Sequence, residues 1–221
     1  MKTLIINFKN YARILGSGSV DLARAAARVA AGLEVEVVVA PPPPMLALVA
    51  SEASIKVFSQ SVSPITGEKT TGSVIPEALR EAGAVGTLLN HSEARLRRVE
   101  LGPLVSSLKK MGLGVCLCAR TSTEAAALSR YRTEYLAIEP PELIGSGIAV
   151  SKAKPEVVRK TVGAARRAGY KGKVLCGAGI VTGEDVTRAV ELGADGVLVA
   201  SSVVNARDWG AKIRELAASL C

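Results

Sequence analysis

The sequence of 221 residues has few aromatic side chains, a single histidine and no long hydrophobic run. Aromatic residues make up 3% of the chain, which argues against the core of an aromatic-rich β-sandwich. The most apolar stretch, residues 35–50, is interrupted by Glu36 and by the prolines at 41–44. It therefore falls short of the ~18 apolar residues that a membrane span needs. The N-terminus lacks a signal-peptide pattern, because only Thr3–Ile6 is apolar before Asn7, and we expect a cytoplasmic protein.

The four cysteines and the histidine do not have the spacing of a metal site. Cys116 and Cys118 face one side of an apolar stretch, Cys176 ends another, and Cys221 is terminal, so we expect buried thiols and no metal. The net charge of +8 suits a small anion, an acidic surface or nucleic acid. The basic residues are scattered without interleaved aromatics, so nucleic-acid binding rests on net charge alone.

Eight short apolar runs alternate with amphipathic, alanine-rich stretches. The runs are rich in Val, Ile and Leu and mostly lack polar alternation, which is typical of parallel strands buried on both faces. Their regular spacing, without a change in composition, favours an α/β fold in which residues 1–221 form one compact (β/α)8 barrel rather than an open doubly wound sheet. The predicted strands are Thr3–Asn7, Glu36–Ala40, Ile55–Ser59, Val85–Asn90, Gly114–Ala119, Tyr135–Ile138, Lys173–Cys176 and Gly196–Ala200.

Capping residues predict where several helices begin and end. Ser19 is the predicted N-cap of a helix that runs to Ala31, and Thr121 is the predicted N-cap of another, with a helpful Glu124 three residues later. Prolines suit the first turn of a helix, and glycines follow its last turn. On these signals we predict further helices from Pro76 to Gly83, from Pro155 to Gly169, over Thr182–Glu191 and over Asp208–Leu220.

A barrel of this kind carries its functional groups at the carboxyl ends of its strands. The polar and glycine residues that end an apolar run are therefore the candidates for a site. In chain order they are Asn7, Lys9, Gln60, Asn90, His91, Arg120, Glu139, Gly177–Gly179, Ser201 and Ser202.

Three of these candidates suit acid–base or anion chemistry. Glu139 follows an apolar strand, where poor solvation would make its carboxylate a stronger base; an exposed loop position is the alternative. His91 precedes a predicted short helical turn, whose dipole would disfavour the charged imidazole; a structural role is the alternative. Lys9 offers a positive charge to an anion in the barrel mouth, or is an ordinary surface lysine.

Two small-residue segments, Cys176–Gly179 and Ala200–Ser202, follow the last two strands. Barrels often bind a phosphate at this place through backbone N–H groups. The stiff pair Pro140–Pro141 and the glycine-rich residues 144–147 together are typical of a lid over the mouth, although a plain connecting turn would have the same composition.

Taken in order, these segments resemble the motifs of the triosephosphate isomerase family in its short archaeal form. The matching segments are Asn7-Phe8-Lys9, Asn90-His91-Ser92-Glu93, and Glu139-Pro140 with Ile144-Gly145-Ser146-Gly147. The resemblance runs along the whole chain and implies a TIM barrel. It also implies an isomerase of glycolysis and gluconeogenesis that interconverts dihydroxyacetone phosphate and D-glyceraldehyde 3-phosphate through an enediolate.

The resemblance implies a role for each matching residue. Glu139 would transfer the carbon-bound proton, and neutral His91 would polarise the substrate carbonyl. Lys9 would offset the negative charge of the substrate, and Asn7 would hold a substrate oxygen. No cofactor or metal is implied, because preorganised donors stabilise the carbanion. Substrate contacts are implied for Asn7, Lys9, Ile144, Gly145, Gly179, Ala200 and Ser201.

The chain departs from the family pattern where the substrate phosphate would bind. The usual Gly-Gly-Ser reads Gly177-Ala178-Gly179, and the usual Gly-Gly reads Ala200-Ser201. Ala94-Arg95 stands where the family has a pair of arginines, and Asn90 stands where the family has a glycine before the histidine. The Tyr and Trp of the common lid are missing. These differences affect individual phosphate contacts and the latching of the lid more than the reaction.

The loop Ser63 to Ser73 resembles the family segment that enters a neighbouring subunit, which implies a homodimer or a homotetramer. Neither nucleic acid nor a membrane is expected as a partner. Two other functions stay open at this point, a different phosphate-binding barrel enzyme such as a synthase or epimerase, and a basic nucleic-acid-binding protein.

Overall fold

The fold is a closed barrel of eight parallel strands, seen in a computed structural model that describes residues 1–65, 67, 69–139 and 155–221. Each strand pairs with the next along the chain, and the last strand pairs with the first. The predicted (β/α)8 barrel is therefore confirmed. The strands are β1 (Lys2–Asn7), β2 (Val35–Ala40), β3 (Lys56–Ser59), β4 (Gly86–Leu89), β5 (Gly114–Ala119), β6 (Tyr135–Ile138), β7 (Lys173–Cys176) and β8 (Gly196–Val199).

The predicted strand bounds are confirmed for β5, β6 and β7 and differ by one residue at an end or at both ends elsewhere. The largest difference concerns the predicted strand Val85–Asn90, which is shortened at both ends. Asn90 lies outside β4 because its φ of 60° is left-handed, and this conformation ends the extended backbone. The left-handed residue turns the chain at the carboxyl end of the barrel, immediately before His91.

Nine α-helices lie within the described ranges, and none of these is both long and apolar enough to cross a bilayer. Sequence reasoning did not identify the second, fourth and eighth of them. The helices are α1 (Ser17–Ala30), α2 (Leu46–Glu52), α3 (Pro76–Glu81), α4 (Arg98–Lys110), α5 (Ser122–Leu128), α6 (Pro155–Arg167), α7 (Gly183–Glu191), α8 (Ser201–Val204) and α9 (Trp209–Ala218).

The predicted caps are confirmed with one exception. The Thr121 hydroxyl oxygen accepts a hydrogen bond from the backbone N–H of Glu124 at 3.1 Å and so caps α5. The prediction that Ser19 caps the first helix is wrong. That helix begins at Ser17 after Gly16, and the Ser19 hydroxyl instead donates to the backbone oxygen of Ile14.

Apolar side chains are buried on both faces of the strands, which explains why the sequence lacks polar alternation. Ile5 points into the barrel interior, whereas Leu4 and Ile6 belong to the layer between the strands and the helices. The expected burial of thiols is confirmed for three of the four cysteines, and Cys221 is exposed. The barrel interior also holds Val38, Ala40, Phe58, Leu88, Cys116, Cys118, Tyr135, Ala137, Leu175 and Leu198.

A charged cluster fills the amino end of the barrel, and we call it the floor cluster: Thr3, Glu36, Lys56, Tyr135 and Lys173. The buried Glu36 carboxylate receives hydrogen bonds from the Lys56 ammonium at 2.6 Å and the Lys173 ammonium at 2.8 Å. The hydroxyls of Thr3 and Tyr135 each donate to it at 2.9 Å. Burial alone would raise the pKa of Glu36, but these four donors lower it to about 2. The cluster joins side chains from five strands at the end of the barrel opposite the predicted site.

Candidate active site

Glu139 and His91 meet at the carboxyl end of the barrel. Glu139 directly follows β6, and its backbone N–H donates to the Ala119 oxygen of β5 at 2.8 Å, which extends the strand pairing by one residue. Its side chain is only 3% exposed, and Oε1 lies 3.1 Å from Nε2 of His91. The backbone N–H of Ser92 donates to Oε2 at 3.3 Å. A buried carboxylate is thus held beside an imidazole, within reach of a small molecule in the barrel mouth.

The protonation of His91 follows from the turn in which it lies. Its Nδ1 accepts a hydrogen bond from the backbone N–H of Glu93 at 3.2 Å, so Nδ1 carries no proton. The imidazole is then neutral, with its proton on Nε2 facing Glu139. The predicted short helical turn is a single hydrogen-bonded turn, in which the Ala94 N–H donates to the His91 backbone oxygen at 2.9 Å, and it does not continue into a helix because α4 begins only at Arg98. The backbone amide, and not a helix dipole, sets the neutral form.

Lys9 is held in an unusual backbone conformation next to His91. Its φ is 49°, and its backbone N–H donates to the Asn7 side-chain oxygen at 3.0 Å. The Gln60 side chain donates to the Lys9 backbone oxygen at 3.2 Å and to that of Ala40 at 3.1 Å. The Lys9 ammonium lies 2.7 Å from a carboxylate oxygen of Glu93. Asn7 and Gln60 therefore fix the backbone that presents this cation to the mouth.

The residue that follows β7 lies against Glu139 and has no side chain. A Cβ added at Gly177 would lie 3.0 Å from Cγ of Glu139 and 3.1 Å from the backbone oxygen of Ile138. The glycine thus leaves the space that the Glu139 side chain occupies. A cavity of about 210 Å³ extends from Glu139 and His91 past Gly179 to Ala200 and Ser201, where α8 begins.

A family model described as triosephosphate isomerase matches residues 2–216. The chain belongs to the triosephosphate isomerase family. It is 44% identical over 217 residues to a triosephosphate isomerase of Caldivirga maquilingensis, covering 98% of this chain and 96% of the relative. It is 44% identical over 213 residues to one of Methanosarcina acetivorans, covering 96% of each chain. A triosephosphate isomerase of Cenarchaeum symbiosum is 45% identical over 217 residues, 98% of this chain and 97% of the relative.

These comparisons confirm the family resemblance and the enzyme class that the sequence analysis predicted. They give no support to a synthase, an epimerase or a nucleic-acid-binding protein. The relatives are mostly archaeal, in agreement with the short form of the family that the motifs resemble.

The structure brings most of the predicted site residues of this family member together. A second cavity of about 570 Å³ adjoins the first and shares Asn7, Lys9 and His91 with it. This second cavity adds Gln60 and Glu93. The residues of the sequence prediction that line one or both cavities are Asn7, Lys9, Gln60, His91, Glu139, Gly177, Ala178, Gly179, Ala200, Ser201 and Ser202.

Other predicted site residues lie elsewhere or are not described. Asn90 and Arg120 line a separate cavity between α4 and α5. Ile144 and Gly145 lie outside the described residues, as does the predicted lid from Pro140 to Lys154, so these stay predictions.

Sequence reasoning missed two contacts of Glu139. The backbone amide of Ser92 was not a candidate, because an amide that donates to a carboxylate leaves no signal in residue type. Cys118 lies beside the same carboxylate, and its position one residue before the end of β5 was the only available hint. The pKa of the Cys118 thiol is raised well above its usual value by its hydrogen bond with Cys116, by complete burial and by the charge of Glu139. The thiol therefore stays neutral next to the carboxylate.

Proposed function

We propose that Glu139 and His91 carry out the interconversion of dihydroxyacetone phosphate and D-glyceraldehyde 3-phosphate in this chain. The isomerase activity itself follows from membership of the family and from the names of its relatives. The observation that supports the residue roles is the pairing of a buried carboxylate with a neutral imidazole, with 3.1 Å between Oε1 and Nε2.

In this proposal Glu139 takes the proton from the carbon next to the substrate carbonyl and returns it to the neighbouring carbon. Its carboxylate lines the smaller cavity, within reach of a substrate carbon, and only 3% of its side chain is exposed to water. The amide of Ser92 and the missing side chain at Gly177 hold the carboxylate in one position.

His91 stabilises the enediolate that forms when the proton leaves carbon. Because Nδ1 accepts from the Glu93 amide, Nε2 carries the proton that a substrate oxygen can accept. A neutral donor that is already oriented stabilises developing negative charge without reorganisation during the reaction. The same imidazole then serves both carbonyl positions of the two triose phosphates.

Lys9 and Asn7 hold the substrate, and the phosphate lies at the opposite end of the smaller cavity. The backbone of Lys9 is fixed by Asn7 and Gln60, which places its ammonium at the cavity that also contains His91. Gly179, Ala200 and Ser201 line the far end, next to the start of α8, where the first amides of a helix have no intrahelical acceptor. The net charge of +8 favours the approach of a phosphate dianion to the protein. Ile144 and Gly145 stay predicted contacts of a closing lid.

We also propose that the chain works in the cytoplasm as a homodimer or a homotetramer. The loop Ser63 to Ser73 would enter a neighbouring subunit, and Ile65 in this loop is 46% exposed. Leu15 and Leu48 are also exposed, at 54% and 43%, and a partner subunit would cover such apolar side chains. Light scattering coupled to size exclusion would contradict this proposal if the mass equalled one chain of 22.9 kDa.

The decisive experiment is an isomerase assay on the wild type and on the Glu139→Gln variant. Conversion of D-glyceraldehyde 3-phosphate is followed with a dehydrogenase that reduces dihydroxyacetone phosphate. We expect Glu139→Gln to abolish turnover, because an amide cannot accept the proton. The matched control is Glu52→Gln, which removes an exposed carboxylate that pairs with Arg24. A loss of less than about tenfold in Glu139→Gln would refute the role of this carboxylate, since a positioned general base contributes about 10²–10⁴-fold.

A further inference from the structure

The turn that carries His91 is closed by the side chain of the residue before it. Asn90 has a φ of 60°, a conformation that asparagine tolerates better than most residues other than glycine. Its side-chain oxygen accepts a hydrogen bond from the backbone N–H of Leu96 at 3.3 Å. Its side-chain nitrogen donates to the backbone oxygen of Cys118 at 2.9 Å. One carboxamide thus closes the turn on itself and attaches it to β5.

A second connection runs from the same turn to α5. The Arg95 guanidinium donates to the backbone oxygen of Asn90 at 3.1 Å and forms an ion pair with Glu124. The Glu124 carboxylate also accepts from the backbone N–H of Arg120 at 2.8 Å and from the Asn90 side chain at 3.4 Å. Burial would raise the pKa of Glu124, but the Arg120 amide, Arg95 and Asn90 lower it on balance, so the carboxylate is charged at neutral pH.

These contacts matter because the turn packs against the rest of the protein mainly through His91 and the half-buried Leu96. Glu93, Ala94 and Arg95 are exposed, and the helix that follows the turn, α4, begins only at Arg98. Glu124, in contrast, lies in the first turn of α5, which is capped by Thr121. The network therefore connects an exposed turn to β5 and to the capped first turn of α5.

We propose that Asn90, Arg95 and Glu124 are positioning residues that fix the imidazole of His91 relative to Glu139. None of the three lines the two cavities at Glu139 and His91; all three line the separate cavity between α4 and α5. They act through the backbone of the turn. A catalytic group must be held within about 0.5 Å of its productive position, so loosening this backbone lowers the rate without removing a substrate contact.

The variants Asn90→Gly and Glu124→Gln test this proposal, which rests on the proposed function. Glycine keeps the left-handed backbone of position 90 and removes only the carboxamide. Glutamine at position 124 keeps the size of the side chain and removes its charge. We expect each variant to lower kcat about tenfold, with KM within twofold of the wild type, because a misplacement approaching 1 Å costs up to about 10²-fold. Asn90→Asp is the second variant at that position if Asn90→Gly does not fold.

The single histidine of the chain provides a readout that does not depend on activity. With ¹⁵N-labelled histidine, the imidazole nitrogen signals come only from His91. We expect them to shift or broaden in Asn90→Gly and Glu124→Gln and to stay unchanged in Glu52→Gln, which removes a distant exposed carboxylate. If the wild type were inactive, the proposed function would fail, whereas the imidazole signals would still report whether the network positions His91.

Four outcomes would overturn the proposal. The first two are a kcat within twofold of the wild type in both variants, and unchanged imidazole signals in a variant whose kcat is lower. The third is a higher KM with an unchanged kcat. The fourth is a loss of kcat in Glu52→Gln that equals the loss in the two variants.

Discussion

Replacing Gly177 by alanine tests whether the site depends on the missing side chain beside Glu139. The added Cβ would lie 3.0 Å from Cγ of Glu139 and 3.1 Å from the backbone oxygen of Ile138. The Ile138 oxygen accepts a hydrogen bond from the backbone N–H of Gly177 at 2.9 Å and is fixed in the sheet. The Glu139 side chain is therefore the group that must move. The φ of Gly177 is not in the left-handed region, so the alanine backbone itself is not strained.

The size of the effect follows from this contact. Ordinary van der Waals contacts between carbon atoms begin near 3.5 Å, so the carboxylate must shift by about 0.5 Å or more. Since a 1 Å misplacement costs about 10²-fold, we expect kcat to fall about tenfold. Overpacking of this kind costs about 1–3 kcal/mol of unfolding free energy, less than the total stability of a typical domain, so the variant should fold.

The assay is the coupled isomerase reaction at saturating substrate, with thermal unfolding measured on the same preparation. Gly32→Ala is the matched control, because its Cβ would meet nothing closer than the Val29 backbone oxygen at 3.8 Å. We expect the control to keep the wild-type kcat. The reasoning would be refuted if folded Gly177→Ala had a kcat within twofold of the wild type, or if both variants lost the same activity.

Three further predictions concern stability, charge and thiols. Glu36→Gln should lower the unfolding free energy at pH 7 by about 3 kcal/mol, measured by denaturant titration, because the pKa of Glu36 falls from 4.5 to about 2 on folding. Since the folded pKa is depressed, this stabilisation is present above about pH 5 and is lost as the pH falls toward 2. Lys9→Met should lower kcat/KM about 10- to 100-fold in the isomerase assay, as a hydrogen bond to a charged group contributes about 1.5–3 kcal/mol. A thiol reagent should modify only Cys221 in the folded protein and all four cysteines after unfolding, because the other three are buried.

Each of these predictions has a control and a result that would contradict it. Glu34→Gln, at an exposed position, should leave stability unchanged. A stability difference between the wild type and Glu36→Gln that is as large at pH 2 as at pH 7 would argue against the charge network. Lys110→Met is the control for Lys9→Met, because it removes an exposed charge at the end of α4. If both variants lowered kcat/KM equally, Lys9 would act only through the net charge of the protein and not through a contact with the substrate. Rapid modification of two or more thiols in the folded protein would contradict the burial of Cys116, Cys118 and Cys176.

The barrel and the centre of the site were predictable because both leave local signals. Strands with apolar residues on both faces read as unbroken runs, and strand ends are where a barrel carries its chemistry. This rule alone points to Glu139 and His91 as candidates. Helix α4 was missed because Pro103 lies inside it, and α8 because it has only four residues.

The remaining features depend on contacts between distant parts of the chain. The neutral form of His91 comes from a backbone amide two residues later, in a turn whose shape depends on the left-handed Asn90. The floor cluster has no local pattern at all, since Thr3 and Lys173 are 170 residues apart when they hydrogen-bond. Residue type alone cannot predict such contacts, because they exist only after the barrel has closed.

The floor cluster also affects how the barrel responds to heat. The hydration of charged groups becomes less favourable as temperature rises, so keeping the buried Glu36 carboxylate away from water costs less in a warm solution. Hydrophobic stabilisation per unit area meanwhile reaches a plateau. The five strands that the cluster joins should therefore be the last to exchange their amide hydrogens on heating, while the turns around the catalytic mouth open first. Loss of activity would then precede loss of the barrel.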